Sequence, residues 1–306
     1  MNHARKKHII LDTDIGGDID DHWALGMLLN IPEAEIELVL TSSGDTRYRT
    51  KVAAKFLQDV GRADVRLGIG IARLDQHLQE TFSADVKQYL LDDYLGVVVE
   101  DGIAEMIRII ESKPEIILIG IGPMTNLAAL CLRRPDLMKK CRLTIMAGSI
   151  AKNYKDRPGI VSEYNIAADI PASKVVFSAD WKEFTITPLD HCGNMTIDGE
   201  LYQQLFHSHQ AIPKVILDCY KKWLIFHQSS EHYETESSIL YDTVAIHLAF
   251  TDKYVIFDDM NLVVDDVGFL RKESWGKSIR VALTWSNIGQ YKAELVEILT
   301  KTRNIF

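Results

Sequence analysis

Cysteine is scarce. The 306 residues hold only Cys131, Cys141, Cys192 and Cys219, widely spaced and with no C-x-x-C pair, which excludes that type of metal or redox centre and leaves them as reduced, mostly packing residues. Long apolar runs are missing too. The longest, such as Ile116 to Ile121, have the length of a strand and fall well short of the roughly 20 residues a membrane helix needs, so no transmembrane helix is expected. There is no excess of positive charge: 34 Lys and Arg against 43 Asp and Glu give a formal net charge of -9. That balance argues against nucleic acid as a partner, because phosphate binding wants a basic face that releases counterions. Pro- or Ser-rich linkers, low-complexity tracts and fixed-period repeats are also absent, so no domain boundary is placed. The basic start, Met1 to Lys7, is followed only by Ile9, Ile10 and Leu11 before Asp12. It lacks the apolar core of a signal peptide, and the cytoplasm is the expected location.

What is present is the composition of an ordinary globular protein, 47% hydrophobic and 25% charged, long enough for one large core. Short runs rich in Ile and Val alternate with longer amphipathic stretches, the pattern of strand and crossover-helix units in a parallel sheet. The candidate strands are His8 to Leu11, Ile36 to Thr41, Val65 to Gly68, Ile116 to Ile121 and Leu143 to Ala147. The stretch from Gln210 to Thr235 carries Tyr220, Trp223, Phe226, His227, His232 and Tyr233. It reads either as a helix packed on the sheet with a solvated loop or as a mobile aromatic flap.

The strongest chemical signal is Asp12-Thr-Asp-Ile-Gly-Gly-Asp-Ile-Asp-Asp21, directly after the first strand. Two carboxylates about 4 Å apart repel by roughly 4 kcal/mol at an effective dielectric near 20, so such a loop needs protons or a cation. An all-oxygen site points to a hard cation. Calcium accepts six to eight oxygens in flexible geometry, whereas magnesium demands a tight octahedron with several waters, so calcium suits a crowded carboxylate loop better. Some of these acids also suit the start of the helix over His22 to Leu29; Asp18 reads as such a cap and Asp12 as an anchor.

Three further segments join it. Gly120-Ile-Gly-Pro-Met-Thr-Asn-Leu-Ala128 follows a buried strand, Glu163-Tyr-Asn-Ile-Ala-Ala-Asp169 places residues i and i+2 on one side, and Tyr241-Asp-Thr-Val-Ala245 opens an apolar helix. Taken together, the four segments resemble the nucleoside hydrolases over Leu11 to about Ala249. The resemblance implies an α/β fold in a single domain over 1–306, with an open, mostly parallel, Rossmann-like central sheet flanked by helices. It implies hydrolysis of ribonucleosides to ribose and free base, with Ca2+ as cofactor, a calcium-bound water activated by Asp14 as general base, and an oxocarbenium-like transition state. The implied metal ligands are Asp14, Asp21, Asp242 and the main-chain carbonyl of Thr125. Asp20 would hold the ribose 2-hydroxyl, Glu163 and Asn165 the 5- and 3-hydroxyls, and Asp45 and Asn153 are further substrate-binding candidates; Asp169 reads as a helix cap. The family also implies a homodimer or homotetramer, acting on a small-molecule nucleoside in purine or pyrimidine salvage.

The chain departs from the pattern at several places: Asp45 stands where an Asn commonly contacts the ribose, the segment Ser149 to Ser162 does not align with the family's Gly-Asn, and the family's His-Gly segment before the middle helix is missing. The first acidic loop is two residues longer, with Gly17 and Asp18 making room, and Tyr241 stands where the family has a histidine that assists the departing base. A phenol, with an ordinary pKa near 10, is a weaker acid; His227, His232, Tyr233 and Trp223 are then candidates for stacking or proton donation. Two rival readings follow from the same residues. A non-catalytic nucleoside or ribose binder would keep the sugar contacts without turnover. A magnesium-dependent phosphatase would use the Asp-x-Asp to form a phosphoenzyme, but the first loop offers no Lys or Arg before Arg47 to offset a phosphate.

Overall fold

The chain was analysed as a computed structural model that describes residues 6–73, 84–229 and 232–302. Its strands are β1 (Lys7–Thr13), β2 (Ala34–Thr41), β3 (Leu67–Ile69), β4 (Val98–Val99), β5 (Ile116–Gly120), β6 (Cys141–Met146), β7 (Lys152–Asn153), β8 (Arg157–Pro158), β9 (Glu183–Thr187), β10 (Val255–Val264), β11 (Leu270–Lys272) and β12 (Lys277–Trp285). The helices are α1 (Asp20–Asn30), α2 (Thr46–Asp59), α3 (Ala84–Gln88), α4 (Gly102–Ser112), α5 (Thr125–Arg133), α6 (Tyr164–Ala167), α7 (Ile170–Ser178), α8 (Leu189–Cys192), α9 (Gly199–Phe206), α10 (Ala211–Phe226), α11 (Tyr241–Phe250) and α12 (Ile288–Thr300).

Ten strands form one sheet in the order β11-β10-β12-β9-β6-β5-β1-β2-β3-β4, and β7 pairs with β8 in a separate hairpin. From β12 through β4 every neighbouring pair is parallel, while β10 and β11 close one edge antiparallel. All five strands expected from the sequence lie in the parallel part. Along β1 the side chains alternate between faces: Ile9 and Leu11 join the apolar cluster of α1, α10, α11 and α12, and Ile10 joins that of α4, α5 and α7. A sheet covered on both faces in this way needs strands that are apolar throughout rather than alternating, which is what Ile9, Ile10 and Leu11 supply.

Two helices are unusual in having no wet side. All eleven residues of α1 are buried, and α11 is buried from Asp242 to Ala249. Their sequences, His-Trp-Ala-Leu-Gly-Met-Leu-Leu and Val-Ala-Ile-His-Leu-Ala, are apolar around the whole circumference, the mark of a helix inside a layer rather than on it. The aromatic stretch read from the sequence forms α10, which buries Ile212, Ile216, Leu217, Tyr220 and Leu224, so the packed-helix reading holds for its described residues. Among the described residues no helix is long and apolar enough to cross a membrane.

The chain builds β1 through β4 in one direction, then returns to the other side of β1 to lay down β5. Loops after β1 and β5 therefore part to opposite faces, and this switch point is where open parallel sheets leave a crevice for ligands.

Candidate active site

The floor of that crevice is acidic. The loop leaving β1 turns at Gly16, whose φ of +97° is a left-handed conformation open to glycine, and then enters α1 at Asp20. Asp20 and Asp21 occupy the first turn of α1, and Asp242 the first turn of α11. Helix N-termini favour negative side chains, and here two of them converge. Ligand oxygens of Asp20, Asp21 and Asp242 all lie within 4.8 Å of one another, and Asp14 lines the same cavity. The Thr13 hydroxyl donates to the Asp21 carboxylate and accepts from the Ile15 amide at 3.1 Å, tying the loop to the acid. Burial pushes the Asp14 carboxyl up to about 6. It holds Asp20, Asp21 and Asp242 well above the usual carboxylate range, each further raised by its acidic neighbours. Buried carboxylates this close either share protons or hold a cation, and a set made only of hard oxygens fits a calcium-type ion.

Gly122, in the loop after β5, makes this floor possible. A Cβ there would stand 2.8 Å from the Asp14 amide nitrogen and 3.0 Å from its Cβ. Behind the floor, Asp12 is buried and accepts from the Asn126 side-chain amide at 3.0 Å, the anchoring role read from the sequence. Burial raises it to about 7.

The sugar side of the cavity is built by α6. Glu163 caps that helix: one carboxylate oxygen accepts from the Asn165 amide at 2.8 Å, and the other from Gly148 at 2.9 Å and Ile166 at 3.4 Å. Burial outweighs these donors and pushes Glu163 up to about 7. The Asn165 side-chain amide donates to Met146 O at 3.1 Å and Ile121 O at 3.4 Å, the ends of β6 and β5. Both side chains line the cavity, so a single cap joins three loops at the switch point.

The cavity measures about 530 Å³, the size of a pocket for a small organic molecule. Its upper wall is aromatic. The rings of Tyr154 and Tyr241 meet edge to face at 6.1 Å, and those of Trp223 and His227 lie 4.5 Å apart. Burial, then Asp20 and Asp18, raise the Tyr241 phenol above its ordinary range. Asp18 is exposed at the mouth, where one carboxylate oxygen accepts from the Ile19 amide at 2.7 Å.

The chain matches the family model described as "Inosine-uridine preferring nucleoside hydrolase" over residues 9–301. It belongs to that family. A protein of Arabidopsis thaliana described as "Probable uridine nucleosidase 2" is 25% identical over 94% of this chain and 88% of its own length. The non-specific ribonucleoside hydrolase RihC of Salmonella enteritidis is 30% identical over a stretch covering 56% of this chain and 57% of its own length. Among solved structures, the plant nucleoside hydrolase PpNRh1 superposes with a TM-score of 0.78 at 21% identity, covering 97% of this chain and 99% of that one. A purine-preferring ribonucleoside hydrolase from Gardnerella vaginalis gives 0.77 at 18%, covering 96% and 98%. These last two establish the nucleoside hydrolase fold.

Within this nucleoside hydrolase, Asp14, Asp20, Asp21, Glu163, Asn165, Tyr241 and Asp242 come together around one cavity. Three other expected residues are absent from its described wall. Asp45 caps α2 and accepts from the Tyr48 amide at 2.9 Å. Asn153 donates to Pro158 O and Gly159 O inside the β7–β8 hairpin. The Thr125 hydroxyl opens α5 and donates to Asp169 at 2.7 Å; Asp169, read as a cap, accepts from the Ala172 amide at 3.1 Å as one. Of the aromatic candidates, Trp223 and His227 line the wall, whereas Tyr233 packs on Phe206 and Tyr220 and His232 pairs with Glu236.

Arg49 is the functional residue that sequence reasoning missed. Its buried guanidinium donates to Ser43 O at 2.8 Å, to Ile15 O at 3.2 Å and to Asp14 O, pinning the loops after β1 and β2 together. A signal was present, because Arg49 shares a helix face with Val52, Ala53 and Phe56, which are all buried; a charge at i, i+3, i+4 and i+7 on an apolar stripe has a buried partner. Arg49 also removes one ground for setting aside a phosphatase, the lack of a cation near the acids. Its Nε and Nη1 nonetheless go to backbone carbonyls, and the family match decides against that chemistry.

Proposed function

We propose that this nucleoside hydrolase cleaves the N-glycosidic bond of ribonucleosides by a single displacement, with Asp14 as general base and calcium as its resident cation. The observation that carries the reading is the meeting of Asp14, Asp20, Asp21 and Asp242 in the cavity whose sugar side holds Glu163 and Asn165. Asp14, Asp21 and Asp242 would hold the ion; the Thr125 carbonyl, the fourth ligand the resemblance implies, lies outside the described cavity wall. When bound, it supplies Lewis acidity that makes a neighbouring water easier to deprotonate.

The chain's own groups do the rest. Asp14 takes a proton from the attacking water, whose oxygen forms the new bond to the anomeric carbon as the bond to the base breaks. Asp20 accepts from the ribose 2-hydroxyl, Asn165 binds the 3-hydroxyl, and Glu163 accepts from the 5-hydroxyl with lone pairs left beside its three amide partners. Positive charge develops on the sugar ring in the transition state, and carboxylates already fixed around it stabilise that charge without reorganising.

Relatives are named for uridine, for ribonucleosides without preference and for purines, so the test uses uridine, inosine and p-nitrophenyl riboside, each with calcium and after chelation. Ribose release that stops on chelation is expected. Asp14→Asn lowers kcat by about 1,000-fold with an unchanged circular dichroism spectrum; near-normal turnover would remove Asp14 as the base. Tight nucleoside binding without ribose release would instead identify a binder.

A further inference from the structure

Departure of a purine or pyrimidine leaves an electron pair on a poorly stabilised nitrogen, and a proton delivered to the base eases it. The family's histidine for this task is replaced by Tyr241, and a phenol, with a reference value near 10, is a reluctant donor at neutral pH. The other phenols of the wall, Tyr154 and Tyr164, share that handicap. Imidazole is the side chain type suited to the task, and among the described residues lining the cavity His227 is the one imidazole.

Its placement fits the role. His227 ends α10, its amide donating to Trp223 O at 3.0 Å, and its ring is exposed toward the cavity beside Trp223. It shares the cavity lining with Asp18, and the two interact electrostatically. Asp18 belongs to the two-residue expansion of the acidic loop. Tyr241 at the start of α11, Asp18 of the lengthened acidic loop and His227 at the end of α10 therefore line one cavity.

We propose that His227 is the leaving-group acid of this enzyme and that Asp18 positions it, with Trp223 offering a face for the base. This rests on the hydrolase reading above. In the step, the bond from the anomeric carbon to nitrogen breaks with its electrons going to the base. The imidazolium of His227 gives that base its proton and becomes neutral imidazole, while Asp14 takes the proton of the attacking water; His227 then recovers a proton from solvent.

The test compares two leaving groups. Inosine and uridine need the proton, whereas p-nitrophenyl riboside expels a stable anion without one. For His227→Gln, kcat on the nucleosides is expected to fall about 100-fold, the size of a general-acid contribution, against less than about 3-fold on p-nitrophenyl riboside. Asp18→Asn is expected to give the same selectivity at roughly one tenth of the effect. Free imidazole should restore nucleoside turnover to His227→Ala. Equal losses on both substrates, or no loss on either, would overturn the assignment while leaving the hydrolase intact. A wild-type protein that releases no ribose from p-nitrophenyl riboside would overturn the hydrolase reading itself, so the two failures are distinct.

Discussion

Gly122 illustrates how narrow the tolerances are at the level of one residue. The Ser42 hydroxyl and the amide nitrogen and Cβ of Asp14 lie where a side chain at Gly122 would go, so Gly122→Ala must displace Asp14, the proposed general base. A displacement near 1 Å costs about 100-fold in rate, and that loss is expected without a matching loss of secondary structure; retention of full activity would mean that the loop relaxes freely. The acids were legible because they lie in one short string after a strand, where identity and spacing are local. Arg49 was not, since its three carbonyl partners come from loops that only the folded sheet brings to α2. Asp45 and Asn153 lie outside the described cavity wall for the complementary reason. Both sit in turn-forming segments, and their short polar side chains satisfy nearby backbone groups instead of reaching a ligand.

Among the elements, α1 and α11 have the largest consequence. Two buried helices aim their N-termini at one point and load it with Asp20, Asp21 and Asp242, an arrangement that repels itself until a cation arrives. Calcium at a hundredfold excess over its Kd should therefore stabilise the fold by roughly 2.7 kcal/mol. Asp242→Asn should lose most of that increment while being no less stable than wild type in chelator, and thermal melts with and without calcium would show a large penalty in both conditions if Asp242 were mainly structural. Strands and helices of the parallel half were readable from uniform apolar runs such as Ile116 to Ile119. The antiparallel edge was not: β10 mixes Asp258, Asp259 and Asn261 with its apolar residues and is exposed at four of its ten positions, so it carries no clear period.

The whole molecule buries titratable groups that do no chemistry, and these set its acid stability. His191, stacked on Trp285 at 4.0 Å, is pushed by burial down to about 3, and burial also lowers His247. His191 is neutral when folded and takes up a proton only on unfolding, so its contribution is present above the unfolded value near 6.5 and is lost as pH falls from there toward 3; the lowered His247 acts in the same direction. Between pH 7 and pH 5 His191 costs roughly 2 kcal/mol. Urea unfolding of His191→Gln at the two pH values should show a drop smaller than wild type by about that amount; an identical drop would mean that His191 is already protonated in the fold. The central position of β1 has a different consequence, one of timing. Its first neighbour, β2, begins at residue 34 and β5, on its other flank, only at residue 116, while Asp242 on α11 arrives after most of the chain has been laid down. Contacts of such long sequence separation form late, so during refolding helical signal should return before calcium affinity does, and the proposed calcium site would report the last event in assembly.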